Sequence, residues 1–287
     1  MFEKNTETFL GCDTAYSDAD IVLFGAPFDS TTSFRPGARF AAKSIRGDSF
    51  GLETYSPYQD KDLSESRILD AGDIELSLGS SELALTQISD FAGKIISDHK
   101  IPFMIGGEHL VTLGSFRAAV KHFPDICLIQ FDAHTDLRDT YLDVSLSHAA
   151  VVRRCWDIIG DNRIYQFGIR SGERVEFEWA KEHTHLQKFD FNGLEECIQR
   201  LQGVPVYFTL DLDVLDPSFF PGTGTPEPGG VTFHELHKAV LHIMQPLNIV
   251  ACDVNELSPP YDTSGASTAV ACKIIREMLL ALQKPIS

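Results

Sequence analysis

Positive charge is what this chain has least of: 24 lysines and arginines stand against 41 aspartates and glutamates in 287 residues, a formal net charge of −17. Such a surface repels phosphate backbones and anionic headgroups, so neither nucleic acid nor membrane is an expected partner. It suits a small cationic ligand, although acidity also serves solubility alone. The six cysteines (Cys12, Cys127, Cys155, Cys197, Cys252, Cys272) form no C-x-x-C pair, and Cys127 and Cys252 lie inside apolar runs as small core residues. A reducing, cytoplasmic setting is the expectation. No segment reaches the ~18 apolar residues that a spanning helix needs, and Met1 to Glu7 lacks the basic start and apolar stretch of a signal peptide. No linker and no internal repeat interrupts the chain, so residues 1–287 are expected to form a single domain.

Short apolar runs alternate with amphipathic stretches. The runs cover 21–25, 67–70, 102–105, 126–132, 163–168, 185–189, 205–211 and 248–253; the helical candidates cover 81–99, 110–122, 147–158, 173–183, 194–201, 233–244 and 263–282. Strand alternating with helix predicts parallel pairing with right-handed crossovers, hence an open three-layer α/β/α sheet. Ligands collect at the carboxyl ends of such strands, and the chemically suggestive residues fall there. Two long Gly/Pro-rich connections, 29–41 and 216–230, are expected to decorate the same end.

Asp132-Ala133-His134-Thr135-Asp136 leaves one apolar run, and Asp211-Leu212-Asp213 leaves another. Side chains two apart on extended backbone point to one side. With His109 of Gly106-Gly107-Glu108-His109, the two motifs gather four carboxylates and two imidazoles. Like charges at close range oppose one another's ionisation, so cations must sit among them. Oxygen-rich sites with a minority of imidazole fit a hard or borderline divalent ion such as Mn2+, and six ligands suffice for two ions. The plainer alternative makes the aspartates helix caps; it explains one Asp per loop and leaves the period-two repeats unaccounted for. His148 reads either as a polar residue at a helix start or as a proton shuttle. Glu256 reads either as a salt-bridge residue or as a substrate ligand, and Arg35 and Arg39 as braces of a loop or a subunit contact.

The chain resembles the ureohydrolase family of arginases, agmatinases and their relatives. The likeness lies in Gly25 to Asp29, Arg35 to Phe40, Gly106 to His109, Asp132 to Asp136, Ser147-His148, Leu210 to Pro217, Pro221 to Pro226 and Glu256 to Asp262. It implies an arginase-like fold with a mostly parallel eight-stranded sheet, two Mn2+ per subunit, hydrolysis of a guanidino group to urea, and a homotrimer or homohexamer. By resemblance, His109, Asp132, Asp136 and Asp211 would bind one ion and Asp132, His134, Asp211 and Asp213 the other, with Asp132 and Asp211 bridging. His148 would shuttle a proton and Glu256 would bind the guanidinium.

A guanidinium stays protonated at ordinary pH, so plain water attacks it poorly; water between two divalent ions has a much lower pKa. The segments Arg35 to Phe40 and Ser258 to Asp262 look more like agmatinases than arginases, and Leu137 to Tyr141 lacks the Asn/Thr/Ser pattern that holds an amino acid's carboxylate. Agmatine is therefore the expected substrate, giving putrescine and urea. Guanidinobutyrate or another guanidino acid, aminopropylagmatine and arginine are the alternatives within the family. Arg138, Arg153 and Arg154 would serve a carboxylate if they face the cleft. Ala149 stands where many relatives have Gly, and Asn255 where an apolar residue is common. Outside the family, an amide deacetylase would need only part of the ligand set, and a metal-stabilised oligomer without turnover would need neither His148 nor Glu256.

Overall fold

A computed structural model describes residues 7–283; residues 1–6, most of the N-terminal segment whose sequence is unlike a signal peptide, lie outside the described residues. The strands are β1 (Ile21–Gly25), β2 (Tyr55–Ser56), β3 (Lys61–Asp62), β4 (Ile68–Asp73), β5 (Ile101–Ile105), β6 (Cys127–Phe131), β7 (Ile164–Ile169), β8 (His185–Lys188), β9 (Pro205–Asp211) and β10 (Asn248–Asn255). The helices are α1 (Ala41–Ser49), α2 (Ser81–Ser97), α3 (Val111–His122), α4 (Val151–Ile159), α5 (Arg174–His183), α6 (Leu194–Leu201), α7 (Phe233–Met244) and α8 (Ala266–Leu282). All eight apolar runs became strands of one sheet, in the order β4-β1-β5-β10-β9-β6-β7-β8, and every neighbouring pair is parallel.

β1 shows why its run is unbroken. Ile21 and Leu23 enter a core shared with α1, α6, α7 and α8, whereas Val22 and Phe24 enter a core shared with α2, α3, α4 and α5. A strand covered on both faces has no solvent side and therefore no polar alternation. β9 repeats the pattern, with Val206, Phe208 and Leu210 on the first face and Tyr207 on the second. All six cysteines are buried and free, Cys127 and Cys252 among the apolar side chains of the first core. Among the described residues no helix is long and apolar enough to cross a membrane.

Two elements escape the sequence pattern. α1 follows the connection expected to run to residue 41, and its buried face is Ala41, Ala42, Ile45, Arg46 and Ser49, with one large apolar residue. What docks it is charge: Arg46 Nε and Nη2 grip the two oxygens of Asp70 at 2.8 and 3.0 Å. The small β2-β3 hairpin is held by Glu277 of α8, which accepts from Ser56 Oγ at 2.7 Å and Gln59 Nε2 at 2.9 Å.

Candidate metal centre

Four neighbouring strands, β5, β10, β9 and β6, end on the residues of interest. Glu108 and His109 follow β5, Glu256 follows β10, Asp211 ends β9 and Asp132 follows β6. His109 Nδ1 lies 3.0 Å from Asp132 Oδ2, 2.9 Å from Asp136 Oδ2 and 3.4 Å from Asp211 Oδ2. His134 Nδ1 lies 3.0 Å from Asp213 Oδ2 and 3.6 Å from Asp132 Oδ1. Two groups of ligand atoms result, His109/Asp132/Asp211 and Asp132/His134/Asp213, with the atoms of each within 4.8 Å of one another. Asp132 belongs to both. Asp211 belongs only to the first, and Asp136 joins neither group although it touches His109.

Capping also holds, beside the clustering. Asp132 Oδ1 accepts from His134 N at 2.6 Å, and Asp211 Oδ1 accepts from Asp213 N at 2.8 Å, while the Oδ2 atoms face His109. Each carboxylate thus uses one oxygen to fold its own loop and aims the other at the cluster. Asp213 divides likewise: Oδ1 accepts from Ala133 N at 3.2 Å, and Oδ2 faces His134.

The fit to a cation rests on His109. Its Nε2 meets Thr209 Oγ1 at 2.8 Å, and Thr209 donates that hydroxyl to Asp253 Oδ1 at 2.6 Å, so the imidazole must be the donor at Nε2. A neutral ring then presents a bare lone pair at Nδ1, a buried atom without a hydrogen-bond partner, to three carboxylate oxygens. A cation, a second ring proton or a proton on one of the facing carboxyls resolves that arrangement. Without a metal, burial lowers the pKa of His109, but Asp132 and Asp136 outweigh it and raise the pKa well above the ordinary value. A divalent ion would take the place of that proton. Burial and then Asp132 push Asp136 up to about 7; burial, Asp213, Asp132 and Glu256 push Asp211 up as well. Burial also acts to raise Asp132, but His109 and His134 hold it below the usual range. The surrounding donors are oxygen and imidazole nitrogen, without a thiolate among the grouped ligands, which suits a hard or borderline divalent ion.

Glu256 has φ 66°, a left-handed conformation that strains a non-glycine residue, and it turns the carboxylate back over β5. Oε1 accepts from His109 N at 2.8 Å; Oε2 accepts no hydrogen bond among the described residues. Burial first, then Asp213 and Glu108, push Glu256 up to about 8. Across the same cavity of about 240 Å3, which Thr225, Arg138 and Tyr141 also line, stands His148. Its Nε2 is 3.2 Å from Ser33 Oγ, its Nδ1 is buried without a partner, and burial lowers it to about 4. A wider groove of about 800 Å3 beside edge strand β8 contains none of these residues.

Arg39 braces its loop through Asp29, and Arg35 stacks 4.9 Å from the Phe34 ring and 5.3 Å from that of Tyr261. Of the three arginines considered for a carboxylate, Arg138 lines the cavity, Arg153 lies over Trp179 and Arg154 pairs with Asp139 and Asp157. Ala149 fits a 3-10 turn without positive φ. Asn255 is buried and donates to Asp253 Oδ1 at 2.7 Å. Thr209 and Gln130, which donates to Asp132 Oδ2 at 2.6 Å, are not singled out by the sequence. Their signal was a polar residue inside an otherwise apolar run: Gln130 and Thr209 each stand two positions before a cluster aspartate.

The comparisons agree with this geometry over almost the whole chain. The arginase family model matches residues 19–281. Agmatinase from Bacillus subtilis (strain 168) is 44% identical over 281 residues, 97% of each chain. A crystal structure from Clostridium difficile, provisionally assigned as an agmatinase, superposes with a TM-score of 0.92 at 51% identity, covering 95% of this chain and 100% of that one. Agmatine ureohydrolase of Thermoplasma volcanium follows at a TM-score of 0.88 and 34% identity, covering 97% and 95%. With its parallel sheet and its paired aspartate motifs at the strand ends, this chain belongs to the arginase family.

Proposed function

We propose that the chain hydrolyses agmatine to putrescine and urea, as one cytoplasmic domain assembled into a homotrimer or homohexamer. Two Mn2+ ions per subunit would be held by His109, Asp132, His134, Asp136, Asp211 and Asp213. The observation that carries the proposal is that Glu256, His148, His109, Asp136 and Asp211 open into one small cavity. The names of the relatives supply the substrate.

When bound, the ions lower the pKa of a water and stabilise negative charge developing on the substrate. The rest falls to the chain. A guanidinium keeps its proton, so its pocket needs a fixed carboxylate, and Glu256 offers Oε2 while the His109 backbone secures Oε1. A Glu256 raised to about 8 lacks a cationic partner, which the guanidinium provides by charge-assisted hydrogen bonds. His148, at about 4, is neutral at pH 7, so its ring can take a proton from the attacking water and return it to the departing amine nitrogen. That transfer is required because an alkylamide anion cannot leave.

A guanidino acid is the second reading, favoured by Arg138 on the cavity wall. Its charge is already met by Glu173 Oε1 at 3.2 Å and Glu176 Oε2 at 3.7 Å, so a substrate carboxylate would have to displace them. The test is urea release by manganese-loaded protein from agmatine, arginine, guanidinobutyrate and aminopropylagmatine. Agmatine is expected to give the highest kcat/KM; no urea from any of them overturns the proposal.

A further inference from the structure

Glu108 is fully buried, and no lysine, arginine or histidine pairs with it among the described residues. Burying a carboxyl without a cation is costly, and an apolar residue would fill the same space at less cost. What Glu108 has instead is three donors from one loop. Oε2 accepts from Thr31 N at 2.8 Å and Thr32 Oγ1 at 3.2 Å, and Oε1 accepts from Thr31 Oγ1 at 2.5 Å. Having donated its proton, the Thr31 hydroxyl keeps its lone pairs and accepts from His148 N at 3.1 Å. Two residues further on, Ser33 Oγ reaches His148 Nε2.

The loop itself is pressed onto the Gly-Gly-Glu-His motif. Glu108 N donates to Phe28 O at 2.7 Å, and a Cβ on Gly107 would lie 1.9 Å from that same oxygen. Any side chain at 107 would lift the loop.

We propose that Glu108 is a positioning residue that orients Thr31, and that the Thr31 hydroxyl fixes the backbone of His148 so that its ring faces the substrate. Glu108 touches neither substrate nor the cluster in this role. The motif that supplies His109 thereby sets the place of the proton carrier, which comes from a segment 40 residues later.

This rests on the hydrolytic function proposed above, and one set of full-length proteins tests both: wild type, Thr31→Val, Thr31→Ser, His148→Asn, and Thr31→Val combined with His148→Asn. Urea release from agmatine by the manganese-loaded wild type checks the hydrolytic function alone. Given that, Thr31→Val is expected to lower kcat about 10- to 100-fold with KM changed by less than about 2-fold, and Thr31→Ser to restore kcat. In the His148→Asn background Thr31→Val adds no further loss. Metal content by elemental analysis stays at the wild-type level. In the metal-free proteins the His148 ring resonances, identified by their absence in His148→Asn, shift in Thr31→Val and return in Thr31→Ser, a readout independent of turnover. If Thr31→Val does not fold, Glu108→Gln, which keeps the volume, serves with the same expectations. An unchanged kcat with unmoved ring resonances overturns the proposal, as does an equal further loss in the His148→Asn background.

Discussion

Asp132 is the residue on which both ligand groups converge, and its two oxygens already serve two tasks. Asp132→Asn is expected to reduce bound manganese below two ions per chain and urea release by at least about 100-fold, read by elemental analysis and a urea assay. Glu256→Gln separates substrate binding from metal binding: it keeps the shape and the acceptor for His109 N but removes the charge. Turnover should fall by roughly 100-fold or more with metal content retained; unchanged turnover would strike Glu256 from its role. For His148, burial sets the sign of the pH dependence. A base works above its pKa and fails as pH drops through it, so the limb belonging to His148 should lie below pH ~5, under the ordinary imidazole value of 6.5. Comparing kcat/KM against pH for wild type and His148→Asn checks it.

At the scale of elements, the inner sheet strands were legible because burial on both faces leaves unbroken apolar runs, and β1 and β9 fall where their runs do, whereas the edge strands β4 and β8 are only partly buried. α1 was illegible for the opposite reason: a helix docked by an Arg46–Asp70 pair carries no apolar stripe to recognise. The candidate ligands could be read because period-two acidic pairs at strand ends have few other uses. The shell behind them could not, since Thr209 or Gln130 reveals a purpose only once its neighbour across the sheet is known. The β2-β3 hairpin hangs on a similar polar anchor. Burial raises the pKa of Glu277, but His237 at 3.6 Å, Gln59, Ser56 and Arg276 outweigh it and hold the carboxyl at about 2. A depressed carboxyl stabilises the fold fully above its ordinary value of 4.5 and loses that contribution as pH falls toward 2. Glu277→Gln should cost about 3 kcal/mol in denaturant unfolding at pH 7, and its stability should decline less than the wild type's between those two pH values.

Over the whole molecule, the crowded carboxylates are expected to tie the fold's stability to bound cations. Chelation should lower Tm, and free manganese at about 100 times its dissociation constant should contribute about 2.7 kcal/mol for each ion bound, or roughly 5 °C or more, by differential scanning calorimetry. Sequence could show which strands end in acidic pairs but not their order across the sheet, because order is set by which crossovers pack. That order has a consequence for synthesis. β10, the last strand in chain order among the described residues, lies between β5 and β9, which share no ladder of their own. A chain stopped before Asn248 already contains all six candidate ligands, yet lacks the strand that joins β4-β1-β5 to β9-β6-β7-β8. The ligand group His109/Asp132/Asp211, whose histidine follows β5, is therefore expected to assemble only once β10 is in place, whereas Asp132/His134/Asp213 lies at the ends of the adjacent β6 and β9 and does not wait for it.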